Sequence, residues 1–171
     1  EVQLFKASKY LVSNAEFLEF VQAGGYQKQE FWTEEGLAWK IYQQAEAPRF
    51  WKALAEGGYK LRCMACEIPL PPNWPVEVNY LEAKAFCNWK ARESGQSVRL
   101  PTEDEWQRLY DHCRLADVPP DAPASGNLHL DHWASACPVN RFRHGELFDV
   151  VGNVWQWTET PTWPFTGFAV H

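Results

Sequence analysis

Asp149-Val150-Val151-Gly152-Asn153-Val154-Trp155-Gln156-Trp157-Thr158-Glu159-Thr160 decides how the rest of the chain is read. Two tryptophans stand two residues apart among Val154 and Thr158. Alternating aromatic and β-branched residues predict a strand. On a strand, Trp155 and Trp157 would share one face, with Val154, Gln156 and Thr158 on the other. Gly152-Asn153 supplies a backbone corner ahead of it. Two buried indoles would then anchor much of the surrounding loop. A plain core strand with aromatic ballast explains the tryptophan pair equally well.

The composition suits such anchoring. The 171 residues include ten Trp, ten Phe and six Tyr, with twelve Pro and ten Gly. This predicts short elements and long ordered loops pinned by large rings. The length fits one domain, residues 1 to 171, with a real core. Both ends read as the interior of a domain, so truncation at each end is expected. A net charge of −6 argues against a nucleic-acid or anionic-membrane surface. No run approaches the roughly 18 apolar residues of a membrane span. Cys63, Cys66, Cys87, Cys113 and Cys137 are odd in number. Reduced thiols in a cytoplasmic protein are the simpler reading.

Ser13-Asn14 predicts the start of a helix that Gly24-Gly25 ends, with Phe17, Phe20 and Val21 as its core stripe. Lys9 to Val12 could be a short strand. Thr33 caps a short turn, and Pro48-Arg49-Phe50-Trp51 reads as the start of another helical turn. Leu61 and Ile68 fall in a possible strand. Pro69 to Pro75 can be neither helix nor central strand. Asn79 caps the clearest helix, Tyr80 to about Glu93, with Tyr80, Ala83, Cys87 and Ala91 on its buried face and Phe86 alongside. Thr102-Glu103-Asp104-Glu105 is a capping box opening a second clear helix, with Trp106, Leu109 and Tyr110 as its apolar side. Asn127 to Leu130 and Cys137 to Val139 read as short extended pieces.

The chemistry-bearing patterns are modest. Cys63-Met64-Ala65-Cys66 lacks a second thiol pair for a zinc site, and incidental thiols outweigh a redox or metal role. His129, Asp131 and His132, with His144, could form a metal site, but surface histidines are the simpler reading. The carboxylate of Asp149, the carbonyls of Gly152 and Val154, and the amide oxygen of Gln156 could converge on Ca²⁺. The bland alternative is a hydrogen-bonded corner. Glu103, Asp104 and Glu105 favour a helix dipole rather than acid–base work.

Three blocks together carry a resemblance. Trp74-Pro75-Val76 through Trp89, Arg99-Leu100-Pro101-Thr102-Glu103-Asp104-Glu105-Trp106, and Gly152-Asn153-Val154-Trp155-Gln156-Trp157-Thr158 resemble, in order and spacing, segments of the formylglycine-generating enzyme (sulfatase-modifying factor) superfamily. The resemblance covers about residues 8 to 171. It implies a C-type-lectin-like α+β fold with two main helices, short antiparallel strands and extensive ordered loop. Tyr10 to Asn14, Gly24-Gly25-Tyr26, Glu67-Ile68-Pro69 and Trp155 to Pro161 look most like the 5-histidylcysteine sulfoxide synthases of ovothiol biosynthesis. Those enzymes use non-haem Fe(II) and O₂ to join the cysteine sulfur to a histidine imidazole carbon as a sulfoxide.

The resemblance also implies that the iron ligands lie on an N-terminal four-helix domain outside this chain. No catalytic residue is therefore assigned. Trp155, Gln156 and Trp157 are expected to neighbour the substrate pocket. Some superfamily members bind Ca²⁺ at the corner matching Asp149, Gly152, Val154 and Gln156, and at a step resembling Asn127-Leu128. They carry Asn and Glu where this chain has Asp149 and Gln156. The alternatives are an ergothioneine-type sulfoxide synthase, a formylglycine-generating oxidase, and a lectin-like binding module without enzymatic activity.

Overall fold

A computed structural model describes residues 2–117, 126–129, 133–162 and 166–168. Helix α1 spans Asn14–Gln22, α2 Glu34–Gln43, α3 Tyr80–Ser94 and α4 Glu103–His112. Strands β1 (Trp51–Ala53), β2 (Tyr59–Arg62) and β3 (Glu67–Pro69) form an antiparallel sheet in that order. Strands β4 (Arg143–His144) and β5 (Leu147–Phe148) pair separately. The fold is α+β as expected, with four α-helices among the described residues; α1, α3 and α4 start where Ser13, Asn79 and Thr102 predicted helices.

A reciprocal capping box starts three of the helices. Ser13, Asn79 and Thr102 each accept from the N3 backbone N–H, while Glu16, Glu82 and Glu105 bond back to the cap residue's N–H. Each box satisfies two N–H groups that the first turn leaves without partners. The turn foreseen at Thr33 is the whole of α2, capped by that threonine.

The core lies where α1, α3 and the three-stranded sheet meet. Phe20 is fully buried, and its ring lies 5–6 Å from those of Phe17, Tyr26, Phe31, Phe86 and Trp89 as centroids of 5.2, 5.9, 6.1, 6.1 and 5.7 Å. Tilted and edge-on contacts of this kind add to the burial of apolar area. On α3 the buried face is Glu82, Ala85, Phe86, Cys87 and Trp89. Tyr80, Ala83 and Ala91 are only half-buried. The helix is rolled relative to the expected face because the aromatic cluster recruits Phe86 and Trp89.

Other local expectations change as well. Pro48 to Trp51 opens no helix; β1 begins at Trp51, whose partner in β2 is Leu61. Lys9 to Val12 forms no strand, and one bridge from Ser13 to Pro75 stands in its place. Pro69 sits in β3, an edge strand, where its missing N–H is tolerated. The extended pieces at Asn127–His129 and Cys137–Val139 carry no strand. No described helix is long and apolar enough to cross a membrane.

Candidate functional site: an aromatic segment at the edge of a cleft

Residues 154 to 158 are not a strand. Trp155 is 98% exposed and Trp157 is 47% exposed, so the expectation of two buried indoles fails. The reason lies in the corner before them. Asp149, Gly152 and Asn153 all adopt positive φ, at 48, 80 and 65°. Three left-handed residues within five break the extended run and leave no neighbouring strand to pair with. A side chain at Gly152 would also meet the Asn127 carbonyl at 3.0 Å.

Side-chain bonds to main chain, not a ladder, hold this segment. The Asn153 N–H donates to the Asn127 carbonyl (3.0 Å), and its amide bonds both the N–H and the carbonyl of Cys137 (2.8 and 3.0 Å). Gln156 Nε2 reaches back to the carbonyls of Asp149 (2.8 Å) and Val150 (3.3 Å). Trp157 Nε1 donates to the Val78 carbonyl (2.9 Å), and its ring meets Tyr80 edge-on. Glu159 takes Lys84 Nζ at 2.6 Å and the Tyr80 hydroxyl at 3.3 Å. Thr160 Oγ1 accepts the Glu103 N–H at the start of α4 (2.9 Å). From α4, Trp106 Nε1 donates to the Val150 carbonyl (3.0 Å). The three sequence blocks thus meet in one place, with Trp155 left uncommitted.

A cleft of 1740 Å³ runs along this edge. Its lining includes Val154, Trp155 and Trp157, then Trp74 and Val76 to Asn79, and Arg49, Phe50, Arg62 and the Cys63–Cys66 turn. It combines apolar rings with charges of both signs, Arg49 and Arg62 beside Glu46, Glu67 and Glu77, a mixture suited to a zwitterionic ligand. Gln156 is not in its lining; that amide faces the corner instead.

Glu82 also lines the cleft yet is buried. Tyr26 Oη donates to its Oε1 at 2.6 Å, and the Asn79 N–H to its Oε2 at 2.9 Å. Burial raises its pKa, opposed by the Tyr26 hydroxyl and the Asn79 amide. The same burial, with the Glu82 carboxylate alongside, pushes the Tyr26 phenol far above its ordinary range. The sequence held a signal for Glu82, the Asn79-x-x-Glu82 capping spacing. Arg49 and Arg62 gave none, because a lone arginine in a loop or at the end of a short strand looks like any solvated charge.

The corner fits a hard cation in part. Asp149 is fully buried; its Oδ2 accepts from Asn153 Nδ2 (3.2 Å), while its Oδ1 has no partner. Asn127 Oδ1 is likewise buried and unpartnered. Burial raises the Asp149 carboxyl to about 7, against the pull of the Asn153 amide. Two vacant oxygens bracketing Asn153 are what an oxygen-seeking ion would use. Against this, the Gly152 carbonyl takes the Val154 N–H (2.9 Å), and Gln156 presents its NH₂ to the corner. Among the five residues expected as ligands, Asp149 and Asn127 fit best.

Iron is a different matter. Among the described residues no group of three or more His, Cys, Asp or Glu side chains could hold a metal ion. His144 is buried, and its Nδ1 accepts the Val150 N–H (3.2 Å), so it braces the corner. His129 borders the cleft, while Asp131 and His132 lie outside the described residues.

Residues 1–164 match the sulfatase-modifying factor enzyme 1-like domain. The chain belongs to that family. Hercynine oxygenase of Mycolicibacterium thermoresistibile is 32% identical over 99% of this chain, and that of Mycobacterium tuberculosis 28% identical over 99%. The chain spans 38% and 40% of those two relatives. The formylglycine-generating enzyme of Thermomonospora curvata is 28% identical over 90% of the chain, which spans 58% of it.

Proposed function

We propose that this chain is the sulfatase-modifying-factor-type domain of a sulfoxide synthase that joins cysteine to histidine with non-haem iron and O₂. The observation that carries the reading is an indole, Trp155, standing exposed at a cleft edge whose backbone is pinned from behind by Gln156, Trp157 and Glu159. An indole held out on so fixed a backbone is available to stack on a ligand in the cleft. The similarity to hercynine oxygenases supports the oxygenase class.

In this reading Trp155 and Trp157 form one wall of the substrate pocket, with Gln156 setting their backbone. Arg49 and Arg62 suit the carboxylate of an amino-acid substrate, and Glu46, Glu67 and Glu77 in the same lining suit its ammonium group. The family resemblance assigns the iron ligands to an N-terminal four-helix domain of the parent protein, and no step is routed through the metal. Five free cysteines suit a cytoplasmic setting. Asp149 and Asn127 would hold a structural Ca²⁺, with Gly152, Val154 and Gln156 completing the shell after Gln156 turns its oxygen inward.

The name of the first two relatives favours a second substrate reading, with hercynine in place of histidine. One experiment separates the readings. The parent protein, supplied with Fe(II), O₂, cysteine and either histidine or hercynine, is expected to give the histidine-derived sulfoxide by mass spectrometry. Turnover of hercynine alone would replace the substrate assignment. Conversion of a peptidyl cysteine to formylglycine, without a sulfoxide from either imidazole, would overturn the class.

A further inference from the structure

We propose that Cys63 and Cys66 form a reversible dithiol–disulfide pair at the tip of the β2–β3 hairpin, oxidised by low-molecular-weight disulfides. The inference goes beyond the proposed function and does not depend on it.

The pairing of Arg62 with Glu67 makes Cys63 and Cys66 the next opposed residues across the hairpin. The Cys63 N–H donates to the Cys66 carbonyl at 2.9 Å, which confirms that they face each other. Directly opposed residues in an antiparallel pair have Cα atoms roughly 4.5–5.5 Å apart. That lies within the roughly 4.4–6.8 Å a disulfide spans. Met64 and Ala65 alone separate the two cysteines, and Met64 is 88% exposed, so the tip is open to a reagent.

The two thiols have unequal access. Cys66 is exposed and Cys63 half-buried. Burial and the neighbouring Cys66 raise the Cys63 thiol. Cys66 is therefore the attacking thiol and Cys63 the resolving one. The Cys66 thiolate attacks one sulfur of a disulfide RSSR and expels RS⁻. The Cys63 thiolate then attacks the Cys66 sulfur of the mixed disulfide and expels a second RS⁻. Two protein thiols lose two electrons and two protons, and one RSSR becomes two RSH. Elsewhere the chain offers poor competitors: Cys87 and Cys137 are buried and pushed up to about 11, and Cys113 donates its thiol to the His144 carbonyl (3.1 Å). The tip contributes to the lining of the cleft, so oxidation ties down part of that lining.

The test is incubation of the native full chain with excess oxidised glutathione. Two of the five thiols should disappear without retained glutathione, and dithiothreitol should restore them. Trypsin cleavage after Arg62 and Lys84 leaves both cysteines on one peptide, which should be lighter by two hydrogens. Cys63→Ser should instead trap a glutathione on Cys66, since the resolving thiol is gone. Retention of glutathione on Cys66 in the unaltered chain, loss of no thiol, or a bond from either residue to Cys87, Cys113 or Cys137 would each overturn the proposal.

Discussion

Replacing Trp155 and Trp157 separately by alanine should produce opposite kinds of damage. Trp157 is 47% exposed, so about half of its surface is covered. A tryptophan buries roughly 150–250 Å² when enclosed, which makes the covered part about 100 Å². At about 25 cal/mol per Å² this is worth about 2.5 kcal/mol, as an upper figure. The bond from its Nε1 to Val78 adds about 1 kcal/mol. Trp157→Ala should therefore cost about 2–3 kcal/mol, a fall of about 1 M in the urea midpoint. Trp155 is 98% exposed and covers nothing. Trp155→Ala should leave stability within about 0.5 kcal/mol. Urea unfolding followed by circular dichroism measures both, and substrate affinity of the parent protein measures the other half. Affinity should drop in Trp155→Ala. A Trp155→Ala protein destabilised by more than about 1 kcal/mol, or a Trp157→Ala protein as stable as the original, would refute the reasoning.

The other expectations are simpler to state. Arg99 binds Glu105 through two nitrogens, at 2.7 and 2.6 Å, and with the Thr102 amide holds that carboxyl down at about 2. A depressed carboxyl stabilises the fold above its unfolded value of about 4.3 and loses that stabilisation as pH falls toward the folded one. The unaltered chain should lose about 1 kcal/mol from this group between pH 5 and pH 2, discounted because Arg99 is half-exposed, and Glu105→Gln should lose none in thermal melts. Gly25→Ala would place a methyl 2.3 Å from the Phe20 ring, so a loss of about 1–3 kcal/mol in chemical denaturation is expected. If Asp149 holds a cation, added CaCl₂ should raise the melting temperature of the unaltered chain and not that of Asp149→Asn; equal shifts in both would remove the site.

Much of the fold was legible because its signals are local. The cap at Ser13 and the Thr102-x-x-Glu105 box satisfy their own helix ends, so neighbours cannot move those boundaries; Glu16, which reads as solvated, closes the first of them as well. The meeting of the three blocks was legible too, from the family resemblance. What misled was alternation without a partner. Val154 to Thr158 has the composition of a strand, but a strand needs another backbone beside it. Asp149, Gly152 and Asn153 turn the chain away from any such neighbour. A positive φ at Asp149 or Asn153 is decided by what surrounds each side chain, and the sequence pattern offers no view of that. The cleft was hidden for another reason: Arg49 precedes β1 and Arg62 ends β2, and neither local pattern shows that the segment carrying Trp155, some ninety residues later, lines the same space.

The bonds around the aromatic segment have an evolutionary consequence. Stability there is lodged in residues 153, 156, 157, 159 and 160, and position 155 contributes none of the tethers. Selection can therefore sample many side chains at position 155 without jeopardising the scaffold. A lineage carrying this loop can shift its preference among related ligands by single exchanges, while the pinned residues on either side stay fixed.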